Sequence, residues 1–179
     1  MKINTGRYIL SILVISFLSC KNNSDNNGEK DKDRALYEDQ LLIELNLTVL
    51  KDDVFEVYFR NKGEGYDAIK SIKQVITGKK ESQKIVFGLN QHEYPYNLRL
   101  DFGNNAKQEE IQIQSIVLLY NEGRHEFSNE ELKNHFSPNK YLDINFETML
   151  LKTYVVDNKY DPYLQSNNIS AFVNKLILY

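Results

Sequence analysis

One cysteine, three prolines and no tryptophan are the scarcities of this 179-residue chain, and each one narrows the reading. A single thiol, Cys20, has no partner for an intramolecular disulfide and no second thiolate for a sulfur-based metal site. The three histidines do not make up for it. His125-Glu126 lacks the second histidine of a His-Glu-x-x-His zinc motif because position 129 is Asn, and His125 and His135 follow no metal-ligand spacing. A surface or loop role is the expectation for all three. A Gly-x-Ser-x-Gly elbow is missing, and so is a glycine-rich phosphate loop. Lys62-Gly63-Glu64-Gly65-Tyr66 is a polar turn with an acid where phosphate would be repelled. Positive charge is not in excess either. Against 22 Lys and Arg stand 25 Asp and Glu, a net charge of −3, so there is no electrostatic case for nucleic acid or for an anionic membrane surface. Finally, no apolar run approaches the about 20 residues that cross a bilayer.

What is present begins with a short apolar run, Tyr8 to Leu18, behind the basic Lys2 and Arg7 and just before Ser19-Cys20. Its length and flanks are those of a cleavable export signal. An ordinary secretory signal and an uncleaved anchor are the other readings of these residues. A small residue followed by Cys at the end of such a run resembles the lipobox of bacterial lipoproteins, with Phe17 where leucine is commonest. That resemblance implies a signal peptide over 1–19, cleavage before Cys20 and diacylglycerol on its thiol, which would hold the protein to the membrane. Lys21 to Arg34 contains no apolar residue, so it cannot bury enough surface to offset its ordering entropy. Residues 20–35 are therefore expected to be a lipidated cysteine and a disordered polar tether. Extended at about 3.3 Å per residue, the 14 residues from Lys21 to Arg34 would reach on the order of 45 Å. An Asn-rich, acid-bearing tether of this kind resembles those of Bacteroidota lipoproteins, which implies an outer-membrane lipoprotein. Ser24-Asp25 and Glu29 to Asp33 leave the periplasmic and cell-surface faces both open.

Residues 36–179 suit one domain, and their dominant period is two. Ile43, Leu45, Leu47 and Val49 alternate with polar residues; Phe55, Val57 and Phe59 do the same. Further strands are expected at 72–76, 85–89, 98–102, 111–120, 142–146 and 149–156, separated by Gly, Asn and Pro turns. Parallel pairing needs crossovers of a dozen or more residues, which this spacing does not provide. The fold class is thus all-β, an antiparallel β-sandwich of jelly-roll-like form with one or two short helices. Ser128-Asn129-Glu130-Glu131 is a capping box opening a helix to about His135. Ile169, Phe172, Val173, Leu176 and Ile177 fit a second helix and also tolerate a strand.

The strand from Glu81 to Leu89, then Arg99-Leu100-Asp101-Phe102-Gly103-Asn104-Asn105, then the Ile111 to Tyr120 strand, resemble the core of small jelly-roll carbohydrate-binding modules. The resemblance implies glycan binding by a non-catalytic sandwich, with Arg99 and Asp101 at the site. The residues themselves add the tyrosines. There are 12, and Tyr94, Tyr96, Tyr160 and Tyr163 lie in polar, turn-rich segments beside Pro or Asp. An exposed ring can stack on a sugar's C–H face while neighbouring polar groups bond its hydroxyls. Rings that plug the ends of the sandwich are the other reading. Asp101, Asn104 and Asn105 could hold Ca²⁺, although Asx-turn chemistry explains them without metal, and neither cofactor nor metal is expected. With no pair of acids singled out, no catalytic residue is expected.

These residues describe a lipid-anchored envelope protein binding a glycan or an envelope partner. The alternatives are an assembly subunit of an envelope complex and, third, a small glycoside hydrolase. The anchor is tested directly. Cys20→Ser should fail to take up labelled palmitate and should leave the membrane fraction, and a variant that stays membrane-bound at mature size would count against lipidation.

Overall fold

In the computed structural model, residues 38–108 and 110–178 are described; the expected signal peptide, Cys20 and tether (1–35) lie outside them. In chain order the elements are β1 (Leu42–Val49), β2 (Asp53–Arg60), β3 (Ser71–Ile76), β4 (Lys79–Gly88), β5 (Asn97–Asp101), β6 (Glu110–Tyr120) and β7 (Gly123–Glu126). Helix α1 (Asn129–His135) follows, then β8 (Phe136–Pro138), β9 (Leu142–Asn145), β10 (Leu150–Thr153), β11 (Tyr163–Ser166) and helix α2 (Ser170–Ile177).

The strands form because alternate side chains can be buried together. β1 buries Ile43, Leu45, Leu47 and Val49, and β2 buries Phe55, Val57 and Phe59. They join two antiparallel sheets. The first runs β4-β1-β6-β10-β9, with β7 also on β6; the second runs β3-β2-β5-β11-β8. Seven connections cross from one sheet to the other, and in five of them, β1–β2, β3–β4, β5–β6, β8–β9 and β10–β11, the two strands hold the same rank in their sheets' orders. This is the all-β sandwich expected, of jelly-roll-like construction. Between the sheets lies one core, in which Phe55 and Phe102 meet edge to face at 5.6 Å.

β6 departs from simple alternation, and the reason is a bulge. Asn46 of β1 faces Ser115, while the next residue, Leu47, faces Ile113, so Gln114 is the extra residue. The inward phase shifts from Ile111 and Ile113 to Ile116 and Leu118, and each still meets a buried residue of β1. One edge of β6 is then shared: β10 pairs with its start and β7 with its end.

Both helices exist. α1 carries the capping box: the Ser128 hydroxyl accepts from the Glu131 amide while the Glu131 carboxylate accepts from the Ser128 amide. The C-terminal segment, open between helix and strand in the sequence, is the helix α2, with Val173 and Leu176 buried. Three strands escape the sequence reading, β7, β8 and β11; all have four residues or fewer, and β8 ends in Pro138 at a sheet edge, where proline is tolerated. The strand expected to reach Val156 stops at Thr153, leaving Tyr154 and Val155 exposed.

The turn after β5 explains Asn104 and Asn105. The buried Asp53 carboxylate accepts from the amides of Asn104 at 2.9 Å and Asn105 at 3.2 Å. Gly103 has φ +88°, and a Cβ there would come within 2.2 Å of that carboxylate. Asp101 points instead to Arg99, and Asn105 accepts from the Lys107 amide, an Asx turn. Among the described residues no group of three His, Cys, Asp or Glu is placed to hold a metal ion.

Leu100 and Val75 test the assignment of faces. Leu100 is 1% exposed and Val75 is 83% exposed. Chemical denaturation should show Leu100→Ala costing about 2–5 kcal/mol, and Val75→Ala within about 0.5 kcal/mol of wild type. Equal losses would overturn the inward phase of β5.

Candidate functional site

The outer face of the second sheet is built from the residues that alternate with its core positions. Register sets them in rows. Glu56, Asp101 and Tyr163 stand side by side across β2, β5 and β11, and Tyr58, Arg99 and Gln165 form the next row. Lys73 extends the first row from β3, its ammonium 3.5 Å from the Glu56 carboxylate. Ser137 of β8 extends the second, opposite Gln165. Arg60 and Asn97 pair beyond them.

Arg99 is the centre of this face. It donates from Nε to Asp101 Oδ1 at 2.7 Å and from Nη2 to Asp101 Oδ2 at 2.6 Å, a bidentate fork, and reaches Asp161 at 3.2 Å. Its guanidinium carbon lies 3.8 Å from the centroid of the Tyr163 ring and 5.2 Å from that of Tyr58. Two carboxylates and two rings therefore fix one cation. Burial pushes the Asp101 carboxyl up to about 7, with the charges of Asp161 and Glu56 acting the same way against the pull of Arg99. The Tyr58 hydroxyl is pushed up to about 12, by burial first and then by Glu56.

Beside Arg99 a cleft of about 530 Å³ opens at the β11–β8 end of the sheet, between Arg60, Tyr96, Tyr163, Gln165, Ser137 and a run of amides. Some of its polar groups are spent on holding the walls. Asn97 donates to the Ser166 carbonyl at 3.0 Å, and the Ser166 hydroxyl accepts from the Leu98 amide at 2.7 Å. Asn139 donates to the Asp161 carbonyl at 2.6 Å and accepts from the amides of Tyr141 and Tyr163. Asn167 bonds His135 Nδ1 at 2.9 Å and donates to the Asn134 carbonyl. Others are uncommitted. Among the described residues, the side chains of Gln165 and Ser137 and the hydroxyls of Tyr96 and Tyr163 make no hydrogen bond. Fixed walls carrying unspent donors, acceptors and two aromatic rings suit a small polar ligand.

The structure separates the residues proposed from sequence. Arg99, Asp101 and Tyr163 meet on the outer face, and Tyr96 lines the adjoining cleft. Tyr94 does not join Tyr96 in the cleft. Tyr94 packs against the core, edge to face with Tyr120 at 5.8 Å, their hydroxyls 3.1 Å apart. Tyr160 is likewise a packing residue, donating to Thr153 Oγ1 at 3.0 Å. These two are corrections to the site: each hydroxyl is spent inside the fold. His125 also departs from the surface role expected, stacking on Phe172 at 4.6 Å and meeting Phe127 edge-on at 4.8 Å beneath α2. Glu56, Tyr58 and Arg60 were missed although the outward phase of β2 was readable; Ser137 and Gln165 sit on strands too short to read. Compared with protein-family models, with curated proteins and with solved structures, the chain finds no match in any of the three.

The Asp101 carboxyl gives a pH test. Its folded value lies above the about 3.9 of an unfolded aspartate, so it contributes stability that is fully present below about pH 4 and lost as pH rises through about 7. The melting temperature of wild type minus that of Asp101→Asn should therefore fall between pH 5 and pH 8. A difference that stays flat or rises would contradict the raised carboxyl.

Proposed function

We propose that this chain is a lipid-anchored protein of the cell envelope whose sandwich binds glycan, without catalysis, at the outer face of the second sheet. The anchor rests on Ser19-Cys20 at the end of the apolar run and on the apolar-free tether behind it. The binding role is carried by one observation: Tyr96, Tyr163, Gln165 and Ser137 offer uncommitted groups in a cleft whose walls are already tied by Asn97, Asn139 and Asn167. A pyranose presents an apolar C–H face and a rim of hydroxyls that both donate and accept. Tyrosine rings suit the first, and amide and hydroxyl side chains suit the second. Preformed walls lower the ordering cost of binding, which matters when few contacts are made.

The neighbouring acids favour binding over acid–base chemistry. Asp101 and Asp161 are both paired with Arg99, and neither lines the cleft. The assembly-subunit reading draws on a smaller feature. Val54 and Val75 face each other across β2 and β3 and are 38% and 83% exposed, an apolar spot at the far side of the same sheet.

Affinity for glycan should be about micromolar to millimolar, as a few stacking and hydroxyl contacts offset association entropy. On a glycan array followed by calorimetry, a Tyr96→Ala, Tyr163→Ala double variant should lose binding while keeping its far-UV circular dichroism. Tyr94→Ala and Tyr160→Ala should keep binding and melt earlier. Wild-type protein silent across host and bacterial glycans would sink the reading.

A further inference from the structure

Arg60 sets the cleft apart from a purely neutral sugar site. Among the described residues three cations are part-buried, Arg60, Lys70 and Arg99. Lys70 pairs with Glu64 at 2.9 Å, and Arg99 pairs with Asp101 and Asp161. Among the described residues no carboxylate lies within 4.0 Å of Arg60. Its Nη1 donates to the Glu64 carbonyl at 2.7 Å, its guanidinium carbon lies 4.8 Å from the Tyr66 ring centroid, and its buried Nε–H has no acceptor. The two acids nearest in sequence are taken elsewhere: the Glu64 carboxylate is spent on Lys70 and on the amide of Asn61, and Glu56 pairs with Lys73. An unpaired, partly desolvated guanidinium is unfavourable until an anion meets it, and a carboxylate matches its planar fork. The ring and the carbonyl fix where that cation stands, at the cleft wall with Tyr96 and Tyr163.

We infer that the cleft takes an acidic saccharide, a sugar bearing a carboxylate, with the carboxylate on Arg60, the ring against Tyr163 or Tyr96, and hydroxyls on Gln165 and Ser137. This rests on the glycan reading and goes beyond it by naming the ligand's charge. Arg99 stands near the cleft yet does not provide this selectivity, since Asp101 and Asp161 already surround it.

The probes are uronate- and sialate-bearing oligosaccharides, each measured beside its carboxyl-reduced, neutral counterpart by calorimetry on the mature protein. Wild type should bind one acidic form at least about tenfold more tightly than its neutral counterpart, in keeping with a charge-assisted pair. Raising NaCl from 20 to 500 mM should shrink that preference. Arg60→Gln should abolish the preference while leaving the neutral form bound, and Arg60→Lys should retain part of it. Equal affinity of wild type for the two forms, or an undiminished preference in Arg60→Gln, would overturn the inference and leave the glycan reading standing. Silence toward both forms and across the wider glycan array would overturn both.

Discussion

The Gln114 bulge is the constraint on which the sandwich depends. Side chains on a strand alternate with a period of two, so an unbroken β6 could bury Ile111 and Ile113 or Ile116 and Leu118, but not both sets. One inserted residue lets both face the core, and β1 follows with Leu47 and Val49 on one side of the shift and Ile43 and Leu45 on the other. Because β6 carries β1, β10 and β7 on its two edges, its phase decides which face of the whole first sheet is apolar.

On the second sheet the inward phase is regular, and the consequence is a polar outer face with a fixed register. Glu56, Asp101 and Tyr163 come from three strands far apart in sequence, yet the ladder sets them in one row. Arg99 occupies the next row and holds the acids and the rings together. An arginine so enclosed acts as a scaffold, steadying Tyr163 at the mouth of the cleft, whereas Arg60, three strand residues from Val57 and at the end of β2, keeps its charge open. Two cations of one type thus play opposite parts, and the difference lies wholly in which carboxylates come within reach.

Much of the fold was legible because burial writes itself into alternation. Phe55, Val57 and Phe59, or Leu98, Leu100 and Phe102, announce both a strand and its inner face, and the capping box at Ser128 announces a helix start. The illegible parts share a cause. β7, β8 and β11 are too short for a period to show, and their formation depends on the partners β6, β11 and β5 respectively. The site was half legible. Arg99, Asp101, Tyr96 and Tyr163 were found from residue type and turn context, but the same context pointed to Tyr94 and Tyr160, whose hydroxyls meet Tyr120 and Thr153. Local sequence cannot tell an open tyrosine from a satisfied one, since the partner that satisfies it is brought up by the fold, from 26 residues away for Tyr94 and seven for Tyr160.

The place of β1 in the first sheet has a mechanical consequence. β1 is the first strand of the described chain and lies between β4 and β6, hydrogen-bonded along both edges. A pull delivered through the residues that precede it would run along the strand axis, perpendicular to those bonds. The two ladders would then have to shear together instead of unzipping one bond at a time. A domain held by its N-terminal side while gripping a fixed ligand would carry that load on the best-braced strand of its first sheet.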